Sequence, residues 1–209
     1  MKPLVITLLV LLSAGLHAQP KPGRFWTDDQ RKFLVDQLEN SQKELLTEVQ
    51  KLSEAQLHFR PDTNQWSVAQ VLEHVAVQEE HLHWDLLYNQ YTPEQPELAG
   101  KGRRADREFL AYATDAAKGE APWLALPLGR FESRDELVAY FSRFRNQVIR
   151  HVRETPADFR VHFIYRPKEA GIWHRVDLHQ YTLGFVAHTQ RHTNQVRKIA
   201  AEPGFPQGR

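Results

Sequence analysis

The 209-residue sequence contains no cysteine, so disulfide bonds and a lipid-modified N-terminal cysteine are excluded. Small domains in oxidising compartments often depend on disulfides, and this chain must instead obtain its stability from core packing. With 41% hydrophobic residues, it is long enough to bury one core and short for two. The absence of thiolates also restricts any metal site to nitrogen and oxygen ligands.

An excess of charge of either sign is lacking as well. The chain has 27 basic and 26 acidic side chains, which gives a formal net charge of +1 at pH 7. Proteins that bind nucleic acid usually carry a basic patch or a basic excess, because phosphate contacts dominate their affinity. The composition therefore gives no case for nucleic acid as a partner, and we expect a small-molecule substrate.

The apolar run at residues 4–12 is shorter than the stretch of about 20 residues that spans a bilayer. It follows Lys2 and precedes small residues that end at Ala18, which is the layout of a secretory signal peptide. We predict that residues 1–18 are this signal peptide and that the mature chain begins at Gln19. The protein would then be periplasmic or secreted, with no stable membrane anchor after cleavage.

Four long segments carry apolar residues every three or four positions, which predicts amphipathic helices. They cover residues 28–52, 68–89, 134–154 and 177–200. Thr27, Ser67 and Ser133 each precede a Glu or Gln by three positions, as in a capping box, and Asp177 is a good N-cap for the fourth helix. Trp66 is predicted to be buried beside the Ser67 cap. Four such helices predict an all-α four-helix bundle.

Two connections are longer than a simple bundle needs. Residues 91–132 form a long insertion between the second and third long helices, and residues 155–176 join the third to the fourth. Such connections usually carry function or local structure. Residues 103–116 predict a short extra helix, and the alternation at residues 159–165 and 172–176 predicts a small hairpin. The pattern does not indicate what the insertion does.

The histidines of the second and fourth long helices predict a metal site. His188 and His192 are four residues apart and follow the apolar stripe, so both rings should face the bundle interior. His74 lies near the inner stripe of the second long helix, and facing helices can bring such residues together. Three imidazoles leave coordination positions open, as in catalytic sites. Gln78 and Gln195, one turn after His74 and His192, are predicted to support these ligands from outside.

Other interpretations of the histidines remain open. His188 and His192 would also fit a pair of core histidines that neighbouring side chains satisfy, because a four-residue spacing is common. A di-iron bundle needs two Glu-x-x-His pairs and two further glutamates. Glu80 and His83 supply one pair, but residues 178–201 contain no acidic residue, which excludes that site. The remaining histidines are predicted to be surface or structural: His58, His81, His83, His151, His162, His174 and His179.

Two segments resemble the signatures of the DinB-like proteins: WSVAQVLEH at residues 66–74 and AHTQRHTNQ at residues 187–195. The resemblance extends from the first long helix to the fourth. It implies a DinB-like up-up-down-down four-helix-bundle domain at residues 27–202. It also implies that His74, His188 and His192 bind one divalent ion, which is zinc, nickel, iron or manganese. Some members transfer low-molecular-weight thiols, others isomerise or are described as hydrolases, and many have no known activity.

The leading hypothesis is therefore an exported metal-dependent enzyme, a hydrolase or transferase of a small molecule. Export argues against thiol transfer, because the thiol cosubstrates are cytosolic metabolites. A non-catalytic metal-dependent binding module and a structural metal site stay open as alternatives. A fourth protein ligand such as His81 or Glu80 would favour a structural site. No general base can be named from the sequence. The sequence is compatible with a homodimer but does not require one.

Overall fold

The computed structural model describes residues 24–101, 104–115, 121–167 and 173–207. The predicted signal peptide, residues 1–18, lies outside the described residues. No helix among the described residues is long and apolar enough to cross a membrane. Besides two 3-10 turns at Pro96–Leu98 and Trp123–Ala125, the elements in chain order are α1 (Asp28–Gln50), α2 (Glu54–His58), α3 (Val68–Asn89), α4 (Asp106–Asp115), α5 (Arg134–Glu154), β1 (Phe163–Pro167), β2 (Trp173–Asp177) and α6 (Leu178–Ala200).

The four long helices α1, α3, α5 and α6 form the predicted bundle. Helix α1 packs against α5 and α6, and α3 packs against the same two helices. Consecutive long helices α1 and α3 therefore lie diagonally across the bundle. The boundaries agree with the sequence pattern to within two residues, since α1 ends at Gln50 rather than at residue 52.

The order of the core residues along each helix gives the chain directions. One apolar cluster contains Leu38 and Leu82, and a second contains Leu45 and Val71. Helices α1 and α6 run from the first cluster to the second, whereas α3 and α5 run from the second to the first. The order is up, down, down, up, so the expected up-up-down-down order is wrong. Because α3 and α5 run parallel, their connection must return along the whole bundle, which explains the length of the 91–132 insertion.

The predicted N-caps are present, with one difference at α5. The side chains of Thr27 and Ser67 each accept the N3 backbone N–H. Their own backbone N–H groups donate to the side chain of the N3 glutamine, which completes a capping box. Ser133 accepts the Glu136 N–H, but the Glu136 carboxylate accepts from the Glu132 N–H instead. A further capping box at Ser53 begins α2, which is too short for a periodic pattern to reveal.

The predicted hairpin is present with a shorter first strand. Strands β1 and β2 pair antiparallel, with Phe163 opposite Asp177 and Tyr165 opposite Arg175. Residues 159–162 precede β1 rather than belonging to it. Phe159 is fully buried in the core, where it stacks on Trp26 at 4.4 Å between ring centroids. Residue 172, predicted to begin the second strand, lies outside the described residues.

Helix α4 is the extra helix that the insertion pattern predicts. It begins at Asp106, and residues 103 and 116 of the predicted range lie outside the described residues. The helix packs along α6, where Thr114 Oγ1 donates to Gln190 Oε1 at 3.2 Å. Arg160 forms ion pairs with both Asp106 and Asp177, which ties α4 to the N-terminus of α6. The insertion is thus fixed against the helix that carries two of the candidate ligands.

Replacing Ser67 by alanine is expected to lower the free energy of unfolding by about 1 kcal/mol, because the side chain caps α3. Ser67 Oγ accepts the Gln70 N–H at 3.2 Å, and alanine leaves that donor without its acceptor. Thermal or urea unfolding followed by circular dichroism measures the loss. Ser142→Ala, within α5, is the control and should not destabilise, since alanine favours a helix interior. Equal stability of Ser67→Ala and the wild type would contradict the cap.

Candidate metal centre

Helices α3 and α6 bring three imidazole rings together. His74 Nε2 lies 3.0 Å from His188 Nε2, and His192 Nε2 lies 3.1 Å from the same atom. One nitrogen from each ring lies within 4.8 Å of the others. The three histidines predicted from the sequence are therefore the ones that converge, and His188 is at the centre of the set. His74 and His192 are buried, whereas His188 is partly exposed.

The other ring nitrogens of His74 and His192 have partners that determine the tautomers. His74 Nδ1 lies 2.8 Å from the Ala125 carbonyl oxygen, and His192 Nδ1 lies 2.8 Å from Gln195 Oε1. Each partner is an acceptor, so each Nδ1 carries the proton and donates it. Both Nε2 atoms are then unprotonated, and their lone pairs point toward the same small volume.

This arrangement fits a metal ion better than a hydrogen-bonded pair of rings. Two unprotonated Nε2 atoms cannot hydrogen-bond with each other, and His188 Nε2 has at most one proton to share between two neighbours. Ligand bonds of about 2.0 to 2.1 Å around one ion would place adjacent nitrogens about 2.9 to 3.4 Å apart. The contacts of 3.0 and 3.1 Å that His188 Nε2 makes meet that requirement, and the nitrogens of His74 and His192 lie within 4.8 Å of each other. An imidazole set suits zinc, nickel or iron.

The electrostatic surroundings favour the neutral forms of His74 and His188. Burial lowers the pKa of His74, although the bond to the Ala125 carbonyl opposes the shift. Burial also lowers the pKa of His188 well below its ordinary value, and His192, His74 and Arg191 add to the effect. Neutral imidazoles are the form that binds metal. No carboxylate of the described residues belongs to the cluster, so it would leave the charge of a bound ion uncompensated.

The insertion supplies the backbone group that orients His74. Glu73, the preceding residue, accepts the backbone N–H groups of residues 128–130 at 2.9 to 3.3 Å, and Arg130 forms an ion pair with it at 2.7 Å. Burial raises the pKa of Glu73, but these donors outweigh it and the net shift is downward. Glu73 and His74, consecutive residues of α3, therefore both contact the loop at residues 125–130. Through these contacts the Ala125 carbonyl is held against His74.

The two glutamines predicted near the ligands have different positions. Gln195 contacts His192 directly through its side chain. Gln78 lines the cavity beside the three rings, and no hydrogen bond joins it to a ligand histidine among the described residues. Gln195 is therefore the better candidate for an outer-shell residue.

Replacing Gln195 by alanine is expected to weaken metal affinity about 10- to 100-fold, the usual effect of removing the partner of a ligating histidine. The His192 ring would lose the acceptor that fixes its tautomer and orientation. Competition with a metal-binding dye measures the affinity. Gln190→Ala is a matched control, because Gln190 contacts Thr114 rather than a ligand. An affinity change of less than twofold in Gln195→Ala would contradict the orienting contact.

A cavity of about 480 Å³ opens beside the three rings. Its described lining residues are Asn64, Gln65, Trp66, His74, Gln78, Ala121, Pro122, His188, Arg191, His192, Gln195 and Lys198. Trp66 is partly rather than fully buried and packs against the second apolar cluster, so the prediction that it is buried holds only in part. Its ring lies 5.1 Å from the His74 ring between centroids and covers His74 at the cavity wall.

A second cavity of about 280 Å³ lies on the other side of His188. Gln78 and His188 line both cavities, so they form the boundary between them. The second cavity is mostly apolar, with Phe109 from α4 and Tyr181 and Phe185 from α6. The insertion therefore builds part of both cavities, a role that its sequence does not indicate.

The other histidines take structural or surface positions, as predicted, wherever their side chains are described. His179 is fully buried and accepts from Trp26 Nε1 at 2.9 Å. The side chain of His174 lies outside the described part of the chain. Neither His81 nor Glu80 joins the three-histidine cluster, and Glu80 accepts from Trp84 and Tyr140 instead. No fourth protein ligand is found among the described residues.

Sequence reasoning missed three groups that shape the site. Arg191 lies three residues after His188, on the same helical face, so its spacing could have indicated a place beside the ligands. Trp66 was expected to be buried beside the Ser67 cap, and its place at the cavity wall was not predicted. The Ala125 carbonyl left no signal, because every residue has a backbone carbonyl.

Comparison with known proteins places the chain in a family. The model of the DinB superfamily matches residues 37–196. A solved structure, that of YfiT from Bacillus subtilis, aligns with 87% of this chain and 91% of its own at a TM-score of 0.57 and 16% identity. It is described as "a probable metal-dependent hydrolase with an unusual four-helix bundle topology". At this identity the likeness shows the fold alone. A search of curated proteins finds no significant match.

Proposed function

Because this chain belongs to the DinB superfamily, we propose that it is an exported enzyme that hydrolyses a small molecule at one divalent ion held by His74, His188 and His192. The observation that supports the proposal most is the convergence of the three rings beside an open cavity. Three histidine ligands that leave a coordination position open are typical of catalytic rather than structural metal sites.

A bound ion would supply Lewis acidity and would bring the pKa of water toward about 7. The protein's own groups would do the rest. The Ala125 carbonyl and Gln195 hold two ligand rings in the correct tautomer. Trp66 covers one side of His74 and limits the access of water, and His188 is the ligand nearest to both cavities.

Hydrolysis is favoured over thiol transfer for two reasons. The proposed export would separate the protein from cytosolic thiol cosubstrates. YfiT, which shares the fold, is described as "a probable metal-dependent hydrolase". The ion would be zinc, nickel, iron or manganese.

A non-catalytic metal-dependent binding module is the second candidate. The observation in its favour is that no Asp or Glu is found among the described residues that line the cavity of the three histidines. A hydrolase commonly uses a positioned carboxylate to move a proton, and here no such group is placed. A binding protein needs none.

Purification without a histidine tag, followed by elemental analysis and an activity screen, tests the proposal. The mature protein is expected to contain about one equivalent of a divalent metal and to hydrolyse members of an ester, amide or phosphoester panel. Chelation should abolish the hydrolysis, and restoring the same metal should recover it. Stoichiometric metal with no hydrolysis across the panel would favour the binding module. Absence of metal after growth in metal-supplemented medium would overturn both candidates.

Export has its own expected result: the mature protein begins at Gln19. Ala18 ends the small-residue segment after the apolar run, where signal peptidases cleave. Expression in a bacterial host, fractionation and N-terminal sequencing would check this. A Lys2→Glu variant, which removes the basic start of the segment, should slow processing. Recovery of chains that retain Met1 in the envelope fraction would contradict cleavage.

A further inference from the structure

The charged side chains among the described residues that line the cavity beside the three histidines are all basic. Its described lining includes Arg191 and Lys198 and no acidic side chain. The candidate ligands are neutral imidazoles, so they would leave the full double charge of an ion in place. Charge of one sign in a recessed site raises the local concentration of ligands of the opposite sign.

Arg191 is the cation that lies closest to the candidate metal ligands in the sequence of α6. It is partly buried, and it makes no hydrogen bond or ion pair with any residue that the structure describes. Several other arginines of the long helices have carboxylate partners. Arg145 binds Glu79, and Arg197, six residues after Arg191 on the same helix, binds Glu48. A partly buried guanidinium with no partner in the described part of the chain is expected to bind an anion, because desolvated charges need compensation.

The second cavity has a different character. Phe109, Tyr181 and Phe185 line it, and it meets the charged cavity at Gln78 and His188. A ligand that extends from Arg191 past His188 would pass from a cationic environment to an apolar one. His188, a candidate metal ligand, lies between the two cavities.

We propose that the substrate is a small organic anion, whose carboxylate or phosphate binds Arg191 and whose apolar part occupies the cavity lined by Phe109 and Phe185. The proposal rests on the proposed function, because the molecule is taken to be the substrate of the same site. It adds the chemical class of that substrate and an anchoring role for Arg191. Arg191 holds the anion, so that the rest of the molecule lies beside His188.

Calorimetric titration of the mature protein tests the proposal, with and without one equivalent of zinc. The probes are hexanoate, hexyl phosphate, acetate and hexylammonium. Hexanoate or hexyl phosphate should bind at least about tenfold more tightly than acetate, since four or more additional methylenes are buried. Hexylammonium should not bind. The stronger of the two six-carbon anions assigns the head group as carboxylate or phosphate.

Arg191→Gln should weaken binding of the six-carbon anions about tenfold or more, the effect of losing a charged hydrogen bond. Arg197→Gln removes the same charge from the same helix, outside the lining of the cavity, and should leave affinity within twofold. Phe109→Ala should reduce the preference over acetate. Unchanged affinity in Arg191→Gln, or equal binding of acetate and hexanoate, would overturn the proposal.

Failure of the proposed function gives a different result. Zinc content measured on the same samples reports whether the histidines bind metal. Loss of zinc binding with Arg191-dependent anion binding would overturn the metal site and support the anion site. Stoichiometric zinc together with anion binding that does not depend on Arg191 would support the metal site and overturn the anion site.

Discussion

Replacement of His188 by alanine is expected to reduce the metal content of the purified protein from about one equivalent to background. Among the three histidines, His188 has its Nε2 within 3.1 Å of both other rings. Its removal leaves His74 and His192 as the only remaining members of the cluster found among the described residues. Two neutral imidazoles alone bind a divalent ion too weakly to retain it through purification. Elemental analysis of protein prepared without a histidine tag measures the result.

Replacement of His74 or His192 should have a similar effect, because each supplies one ligand of a set of three. The metal-free variants should stay helical. The apolar clusters that hold the bundle include Leu38, Leu82, Leu45 and Val71, and none of them depends on an ion. This separates a functional site from a structural zinc site, whose loss unfolds the domain. Circular dichroism and thermal unfolding of the metal-free protein check the distinction.

His81→Ala is the matched control, because His81 is on the same helix as His74 and does not join the cluster. Its metal content and activity should equal those of the wild type. Undiminished stoichiometric metal in a variant that lacks all three histidines would remove the basis for the site. Equal metal loss in His81→Ala and His188→Ala would show that the assay does not report the site.

The convergence of the three histidines could be predicted because helical periodicity determines which side chains share a face. His188 and His192 follow the apolar stripe of α6, and His74 follows that of α3, so packing of those stripes brings the rings together. The same regularity predicted the four long helices, and the capping residues at their starts predicted all four N-caps. Agreement with the DinB superfamily model over residues 37–196 confirms the family resemblance.

Chain direction and the role of the insertion could not be predicted in the same way. An apolar stripe does not encode the direction of a helix, so the stripes could not test the up-up-down-down order that the family resemblance implied, and that order was wrong. The insertion meets the site through the Ala125 carbonyl and through contacts of Glu73 with backbone N–H groups. Backbone groups are common to all residues, so the sequence gives no signal for them. The place of Trp66 at the cavity wall could not be predicted, because an aromatic residue beside a cap fits a core and a cavity wall equally well.

Replacement of Arg145 by methionine is expected to lower the free energy of unfolding by about 3 to 5 kcal/mol, the effect of removing one partner of a buried ion pair. Arg145 and Glu79 are 0% and 1% exposed. Arg145 Nε donates to Glu79 Oε2 at 2.6 Å. Methionine would fill much of the same volume but would leave the Glu79 carboxylate without its counter-charge. Urea unfolding followed by circular dichroism measures the loss.

The position of the pair explains why the effect should be large. Arg145 on α5 also donates to the Leu38 carbonyl oxygen and Ser41 Oγ on α1 and to Thr189 Oγ1 on α6. One side chain of α5 therefore contacts the three other long helices, at a level between the two apolar clusters. Arg153→Met, on the same helix, is the control. Its pair with Glu39 is about half exposed, so its loss should change stability by about 0 to 1 kcal/mol.

The double variant Glu79→Leu with Arg145→Met decides whether the pair itself stabilises the bundle. Removing both charges also removes the desolvation penalty of each, so the double variant should be much more stable than Arg145→Met and close to the wild type. The hydroxyl groups that Arg145 contacts would keep their own acceptors, since Ser41 Oγ donates to the Leu38 carbonyl and Thr189 Oγ1 to the Phe185 carbonyl. If the double variant is instead as unstable as the single one, the loss comes from packing and not from the unpaired carboxylate. A double variant that is stable but binds zinc more weakly would show that the pair sets the rotation of α6, and with it the direction of His188.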